Sequence, residues 1–322
     1  MNPRTALCAV AALAFLGAAP AAAQSPGPQS PTLQERLGYP ANARLLIIHA
    51  DDFGMDHSVN RAIIEALEHG WVTSASMMVP CPWFAEAATW ARAHQDADLG
   101  IHLVLTSEWT PIRWGPISGR DKVRSLLDAQ GYLPLETDEV VKHDKPKEVE
   151  HELRAQIDFA RAAGVNITHL DSHMGALFQA EPLFHIYRDL AKSYQLPQLL
   201  EREGDHGGAQ APVWAAEATK VAPLQRVVQI QEGVQPDQWM DAYKKMLAPL
   251  PPGVYQLIVH LAYDDDEMQG ATFNHPGWGS AWRQHDLDLV KSDEFRNFLK
   301  EQGFHLITWR ELGKAEMTTA MR

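Results

Sequence analysis

Short apolar runs alternate with helical segments along most of this 322-residue chain, and that alternation leaves few folds open. A strand built on Arg44-Leu-Leu-Ile-Ile48 ends at Ala50. Residues 58–69 then place Ile63, Ile64 and Leu67 at helical spacing, with Gly70 as the stop. Residues 72–79 read as strand, 83–94 as helix and 99–105 as strand. Residues 146–163 carry Val149, Leu153, Ile157 and Ala160 on one helical face. A strand over 167–171, a helix after Pro182, a strand over 254–262, a helix over 293–301, a strand over 305–308 and a short helix from Arg310 complete the series. Such alternation implies parallel strands joined by helical crossovers. No Gly-rich phosphate loop follows any strand, which removes support for a nucleotide-binding open sheet. The expected fold is an α/β irregular (β/α) barrel, whose strand C-termini face the active site.

The chain opens on a segment with the marks of a secretory signal. Arg4 gives a positive start, residues 6–19 are apolar, and Ala21-Ala-Ala23 is a small-residue cleavage site. The expected organisation is a signal peptide over 1–23, a flexible Ser/Pro/Gln-rich segment over 24–42, and one catalytic domain over 43–322. Roughly 290 residues remain, which suits a barrel of about 250 residues. The expected product is exported to the periplasm or medium, with no membrane span after cleavage, since a spanning helix takes about 20 apolar residues. Loss of Arg4 alone moves the formal charge from −13 to −14. Such acidity argues against nucleic acid and anionic membranes as partners. Of two cysteines, Cys8 leaves with the signal, and Cys81, between Pro80 and Pro82, reads as a small buried apolar residue. Oligomeric state stays open, a homodimer included.

Chemistry concentrates where strands end. Asp51 and Asp52 follow the first apolar run directly. Like charges that close raise each other's pKa, so the pair calls for a cation or for divided roles. Further strand ends present Gly100-Ile-His102, His169-Leu-Asp-Ser-His173 and Gln256-Leu-Ile-Val-His260. Two imidazoles and a carboxylate are a common catalytic set for Zn²⁺ or a similar divalent ion. A lone strand histidine is more often structural, and Asp171 has the makings of a turn residue. Joint occurrence at four strand ends weighs against those readings. Among the remaining histidines His169 is the best candidate for support behind a ligand, while His49, His57 and His185 have less claim. Residues 107–143, rich in Trp, Pro and Gly, read as loops over the site. Trp109, Trp114, Trp278 and Trp282 are possible sugar-stacking faces or loop packing, and Asp264-Asp-Asp-Glu267 reads as a solvated acidic loop.

The chain resembles the YdjC-like carbohydrate deacetylases, the group that includes chitooligosaccharide and hopanoid-linked sugar deacetylases. The resemblance rests on His49-Ala-Asp-Asp-Phe-Gly54 with Asn60, on Gly70-Trp-Val-Thr-Ser-Ala-Ser76, on Gly100-Ile-His-Leu-Val-Leu-Thr106 and on Thr168-His-Leu-Asp-Ser-His173, with Gly303-Phe-His-Leu-Ile-Thr-Trp-Arg-Glu-Leu312 closing the chain. It implies hydrolysis of an N-acetyl group of an amino sugar with a divalent metal, Zn²⁺ or Mg²⁺. By position it implies Asp51 as general base, Asp52, His102 and His173 as metal ligands, and His260 as general acid or oxyanion-side partner. The family's late His is followed by Pro-Gly, whereas Leu261-Ala262 follow His260 here. His275-Pro-Gly277 supplies the other candidate acid. Two further readings compete: a metal-dependent hydrolase of another bond, such as a phosphoester or glycoside, and an exported non-catalytic sugar-binding barrel.

Overall fold

The computed structural model describes residues 31–203 and 222–320; the expected signal over 1–23 lies outside them. Seven strands form one parallel sheet: β1 (Arg44–Phe53), β2 (Ser74–Met77), β3 (Leu99–Leu103), β4 (Ile167–Ser172), β5 (Arg226–Gln229), β6 (Gly253–His260) and β7 (Phe304–Leu306). Their order is β4-β3-β2-β1-β6-β5, with β7 on β1.

β1 organises the rest. Every residue after Arg44 is buried, which explains its near-continuous apolar run, as in strands covered on both faces. One edge pairs with β6 from Arg44 to Asp51. The other edge is shared: β7 takes Arg44–Leu46, and β2 takes over from His49 to Phe53. Leu45, Leu46, Ile47 and Ile48 anchor the strand, each worth roughly 1.5–3 kcal/mol of burial.

The outer strands β4 and β5 meet through an irregular segment. Leu170 bridges to Gln198, and Glu201 to Leu224, both parallel. Leu199 N donates to Leu170 O at 2.8 Å and Arg202 N to Leu224 O at 3.0 Å. Residues 198–202 thus pair with β4 on one side and with Leu224, just before β5, on the other, completing an irregular barrel.

Some elements differ from expectation. Inside the segment expected to be flexible, Leu33–Arg36 is helical, with a reciprocal cap between Thr32 and Glu35, and Leu33 packs in a cluster with Trp309. The stretch read as loops over the site holds a short turn at Arg124–Leu126 and a helix at Thr137–His143. It is pinned by the helix Pro146–Ala162: buried Glu152 accepts from the N–H groups of Ile117 and Ser118, both at 2.9 Å, and Gln156 brackets Val104. β5 and the helices Trp239–Leu247, Asp266–Thr272 and Ser280–Lys291 were not marked by the apolar pattern. The last of these packs on β6.

Candidate active site

Alternation along β1 sends His49 and Asp51 to one side, because successive residues of a strand face opposite ways. Asp52 should therefore point away. It does not, because its backbone is left-handed, with φ of +70°, and the β1–β2 register shifts between Ala50 and Phe53. Asp and Asn tolerate that conformation better than most residues. The irregularity brings both carboxylates to one face.

Register supplies the neighbours. Asp51 lies opposite His260 on β6, and His102 opposite Asp171 on β4. Asp52 Oδ1 is 3.6 Å from His102 Nε2 and 3.5 Å from His173 Nδ1. His260 Nε2 lies 3.9 Å from Asp51 Oδ2 and 4.0 Å from Asp52 Oδ2. The five residues singled out from the sequence thus converge. His275 lines the same cavity but meets Trp109 edge-on, with neither Asp51 nor Asp52 beside it in any described contact.

The donor set of Asp52, His102 and His173 fits a divalent cation. Bonds of about 2.1 Å in a tetrahedron leave ligand atoms about 3.4 Å apart, close to the spacings just given. Asp52 Oδ1 is buried without a hydrogen-bond partner, which is unfavourable unless something positive meets it. Both imidazoles are also anchored from behind. His102 Nδ1 meets Asp171 Oδ1 at 2.5 Å, and His173 Nε2 meets Glu108 at 3.0 and 3.1 Å. Metal-binding histidines commonly have a carboxylate on the far nitrogen, which fixes the ring and its tautomer.

Electrostatics follow from burial against charge. Burial favours the neutral form of Asp52, but Arg283 and His173 hold its carboxyl well below the usual range. For His173, burial is outweighed by Glu108 and Asp52, which raise the ring to about 10. His260 goes the other way: burial, reinforced by Arg283, lowers it to about 4 against the pull of Asp52.

Three partners escaped the sequence reading. Arg283, almost fully buried, donates from Nη2 to Asp52 Oδ2 at 2.7 Å and from Nε to Trp278 O at 2.8 Å. Asp286 accepts from His260 N at 2.9 Å, Trp239 Nε1 at 2.9 Å and Tyr243 Oη at 2.6 Å, fixing the end of β6. Glu108 anchors His173. A signal for the first two did exist. Arg283 and Asp286 share a helical face with the buried Leu287 and Val290, and a charged pair on an apolar face announces a buried interaction.

Above these groups opens a cavity of about 1110 Å³. Trp109, Trp278 and Phe178 line it. Trp114 instead donates its Nε1 to Thr106 O at 2.8 Å, and Trp282 packs on Trp239 and Trp278, so those two hold loops in place. Asp265 caps the helix Asp266–Thr272 and takes Ser58 Oγ at 2.5 Å, so part of the acidic run is structural. Cys81 is free and buried.

Comparison with known proteins gives the family. The sequence profile of the YdjC-like proteins matches residues 45–301. A carbohydrate deacetylase of Thermus thermophilus is 35% identical over 287 residues, spanning 88% of this chain and 98% of that protein. One from Brevibacillus brevis is 30% identical over 276 residues, spanning 83% and 99%. Among solved structures, an Enterococcus faecalis protein described as a proposed cellobiose-phosphate cleavage protein superposes with a TM-score of 0.70 at 26% identity, covering 84% of this chain and 99% of its own. With most of its length matched by the profile and by both relatives, the chain belongs to the YdjC-like protein family.

Proposed function

We propose that this protein hydrolyses the N-acetyl group of an amino sugar or related glycan, using a divalent metal held by Asp52, His102 and His173. The observation that carries the reading is the pair of buried carboxylates, Asp51 and Asp52, turned to one face beside two carboxylate-anchored imidazoles. Kinship with carbohydrate deacetylases supplies the substrate class.

A bound divalent cation supplies Lewis acidity for the amide carbonyl and lowers the pKa of water. Zn²⁺ suits two imidazoles and a carboxylate, and Mg²⁺ is the other candidate by family likeness. The chain's own groups do the rest. Asp51 takes the proton of the attacking water as general base. His260 is neutral at rest, so the proton it gives to the departing amine has to arrive during the reaction. Asp51 Oδ2, 3.9 Å away, is a carboxylate placed to pass it on. Arg283 keeps Asp52 ionised and fixes one of its oxygens. Trp109, Trp278 and Phe178 offer flat faces to a pyranose ring.

A phosphoester substrate fits this cavity less well. Glu108, Glu136, Glu203 and Glu232 line it against two arginines, of which Arg283 faces Asp52 and Arg226 lies 3.5 Å from Glu203. Export, with loss of residues 1–23, belongs to the same proposal.

The test is acetate release from N-acetylglucosamine monomers and oligomers by the Zn²⁺- or Mg²⁺-loaded chain, with Asp51→Asn alongside. Acetate from the parent, and at least about 100-fold less from a metal-loaded Asp51→Asn, is the expected result. No acetate from any acetylated amino sugar by metal-loaded protein would overturn the substrate class; equal rates from both would overturn the role of Asp51.

A further inference from the structure

His49 stands behind the site, fully buried, and the chemistry described so far does not use it. Its two nitrogens face opposite needs. On one side Nδ1 lies 3.0 Å from Ser74 Oγ, and that hydroxyl donates its own proton to Asp98 Oδ1 at 2.7 Å. The serine oxygen can then only accept, so Nδ1 carries a hydrogen. On the other side Nε2 lies 3.2 Å from Asp51 Oδ1, 3.1 Å from Asp171 Oδ2 and 3.0 Å from Ser76 Oγ. A bare lone pair facing two carboxylate oxygens would be repelled by both, so Nε2 carries a hydrogen as well.

We infer that His49 is a standing imidazolium and a positioning residue, joining the general base Asp51 to Asp171, the carboxylate that orients His102. The inference rests on the roles proposed for Asp51 and His102. An unbroken line runs from Asp51 Oδ1 through His49 Nε2 and the two oxygens of Asp171 to His102 Nδ1. One group thereby fixes the aim of the base and, through Asp171, the tautomer of a metal ligand. Burial opposes the charge on His49, but Asp171 and Asp51 outweigh it and raise the ring to about 9.

Charge balance points the same way. Asp51, Asp52, Asp171 and Glu108 are four carboxylates at the site, and Arg283 and His49 are its two standing cations when His102 and His173 are neutral ligands. A divalent ion brings the set to zero. With a neutral residue at position 49, the same buried set holds an unbalanced negative charge next to the base.

The line is sealed against water. His169 abuts the His49 ring edge-on at 5.0 Å and stacks on Trp309. Room for it comes from Gly100, where a Cβ would meet His169 Nε2 at 2.3 Å.

Nitrogen-15 NMR of histidine-labelled, metal-free protein tests the protonation state, with His49 assigned through contacts to Ser74 and Ser76. Both ring nitrogens protonated at pH 7.5 is the expected signature, and a single protonated nitrogen overturns the inference whether or not the protein deacetylates anything. In the metal-loaded enzyme, His49→Gln should lower kcat on the order of 10–100-fold with KM and bound metal unchanged. An unchanged kcat with the metal in place overturns the positioning role. If the protein releases no acetate at all, the proposed activity fails while the NMR result still decides the state of His49.

Discussion

Two buried polar regions lie within one barrel, and they are finished differently. Around Glu152 and Gln156 nearly everything is matched. Glu152 takes the N–H groups of Ile117 and Ser118, the Ser118 hydroxyl and Gln156 Nε2, while Gln156 closes both hydrogen bonds of Val104. Around Asp51 and Asp52 the account stays open: Asp52 Oδ1 and His260 Nδ1 have no hydrogen-bond partner, and Asp51 Oδ1 has only the ion-pair contact with His49 Nε2 at 3.2 Å. A polar group buried for structure is saturated, because each unmet partner costs about 1–3 kcal/mol. A polar group buried for chemistry keeps valences for what arrives later.

The difference is most directly broken at the metal ligands. His102→Ala should lose both bound metal and acetate release. Metal content by elemental analysis checks the first, and full occupancy in that variant would sink the ligand assignment. Next in size is the structural region. Glu152→Ala should lower unfolding stability by roughly 1–3 kcal/mol while leaving kcat of the folded enzyme close to the parent value. Denaturant melts beside the acetate assay separate the two effects, and a variant that loses turnover at full stability would erase the distinction drawn here.

A third effect, read in stability alone and only at alkaline pH, comes from an open acceptor outside the cavity. Asp144 Oδ2 is also buried without a partner, and burial, with Glu148 nearby, raises its carboxyl to about 8. A raised acid favours folding only while protonated. Its cost is absent below the unfolded value near 4, grows with pH, and is complete above about 8. Asp144→Asn should therefore raise the melting temperature at pH 9 and leave it unchanged near pH 3.5. A rise of equal size at both would show that the carboxyl is not the cause.

Much of this architecture was legible in the sequence for a physical reason. Buried parallel strands need unbroken apolar runs, so β1, β3, β4 and β6 announce themselves, and their C-termini name Asp51, Asp52, His102, His173 and His260. β5 did not, because Arg226-Val-Val-Gln229 is short and half-exposed. Glu108 stayed hidden because it acts on a residue remote in sequence, where no local spacing applies, while the helical face that marks Arg283 and Asp286 as a buried pair does not name Asp52 and His260 as their partners. His49 was underrated from the chain alone. Its importance comes from β2 and β4, whose serines and carboxylate meet it only after folding. The short helix at Leu33–Arg36 was lost behind a Ser- and Pro-rich stretch, though its Thr32-Glu35 cap was there to be read.

The left-handed turn at Asp52 decides how this site can be dissected. Replacing Asp52 by alanine removes a carboxylate and also asks an unsuited residue to hold φ of +70°, so lost activity would mix two causes. Asparagine keeps the shape and tolerates the same backbone, so it removes the charge and turns one acceptor into a donor without straining the chain. Glycine relaxes the backbone and deletes the side chain, which makes it the matched partner of alanine. The contrast between glycine and alanine isolates what the peptide conformation contributes. The step from aspartate to asparagine reads the carboxylate, its charge and its second acceptor together, free of backbone strain.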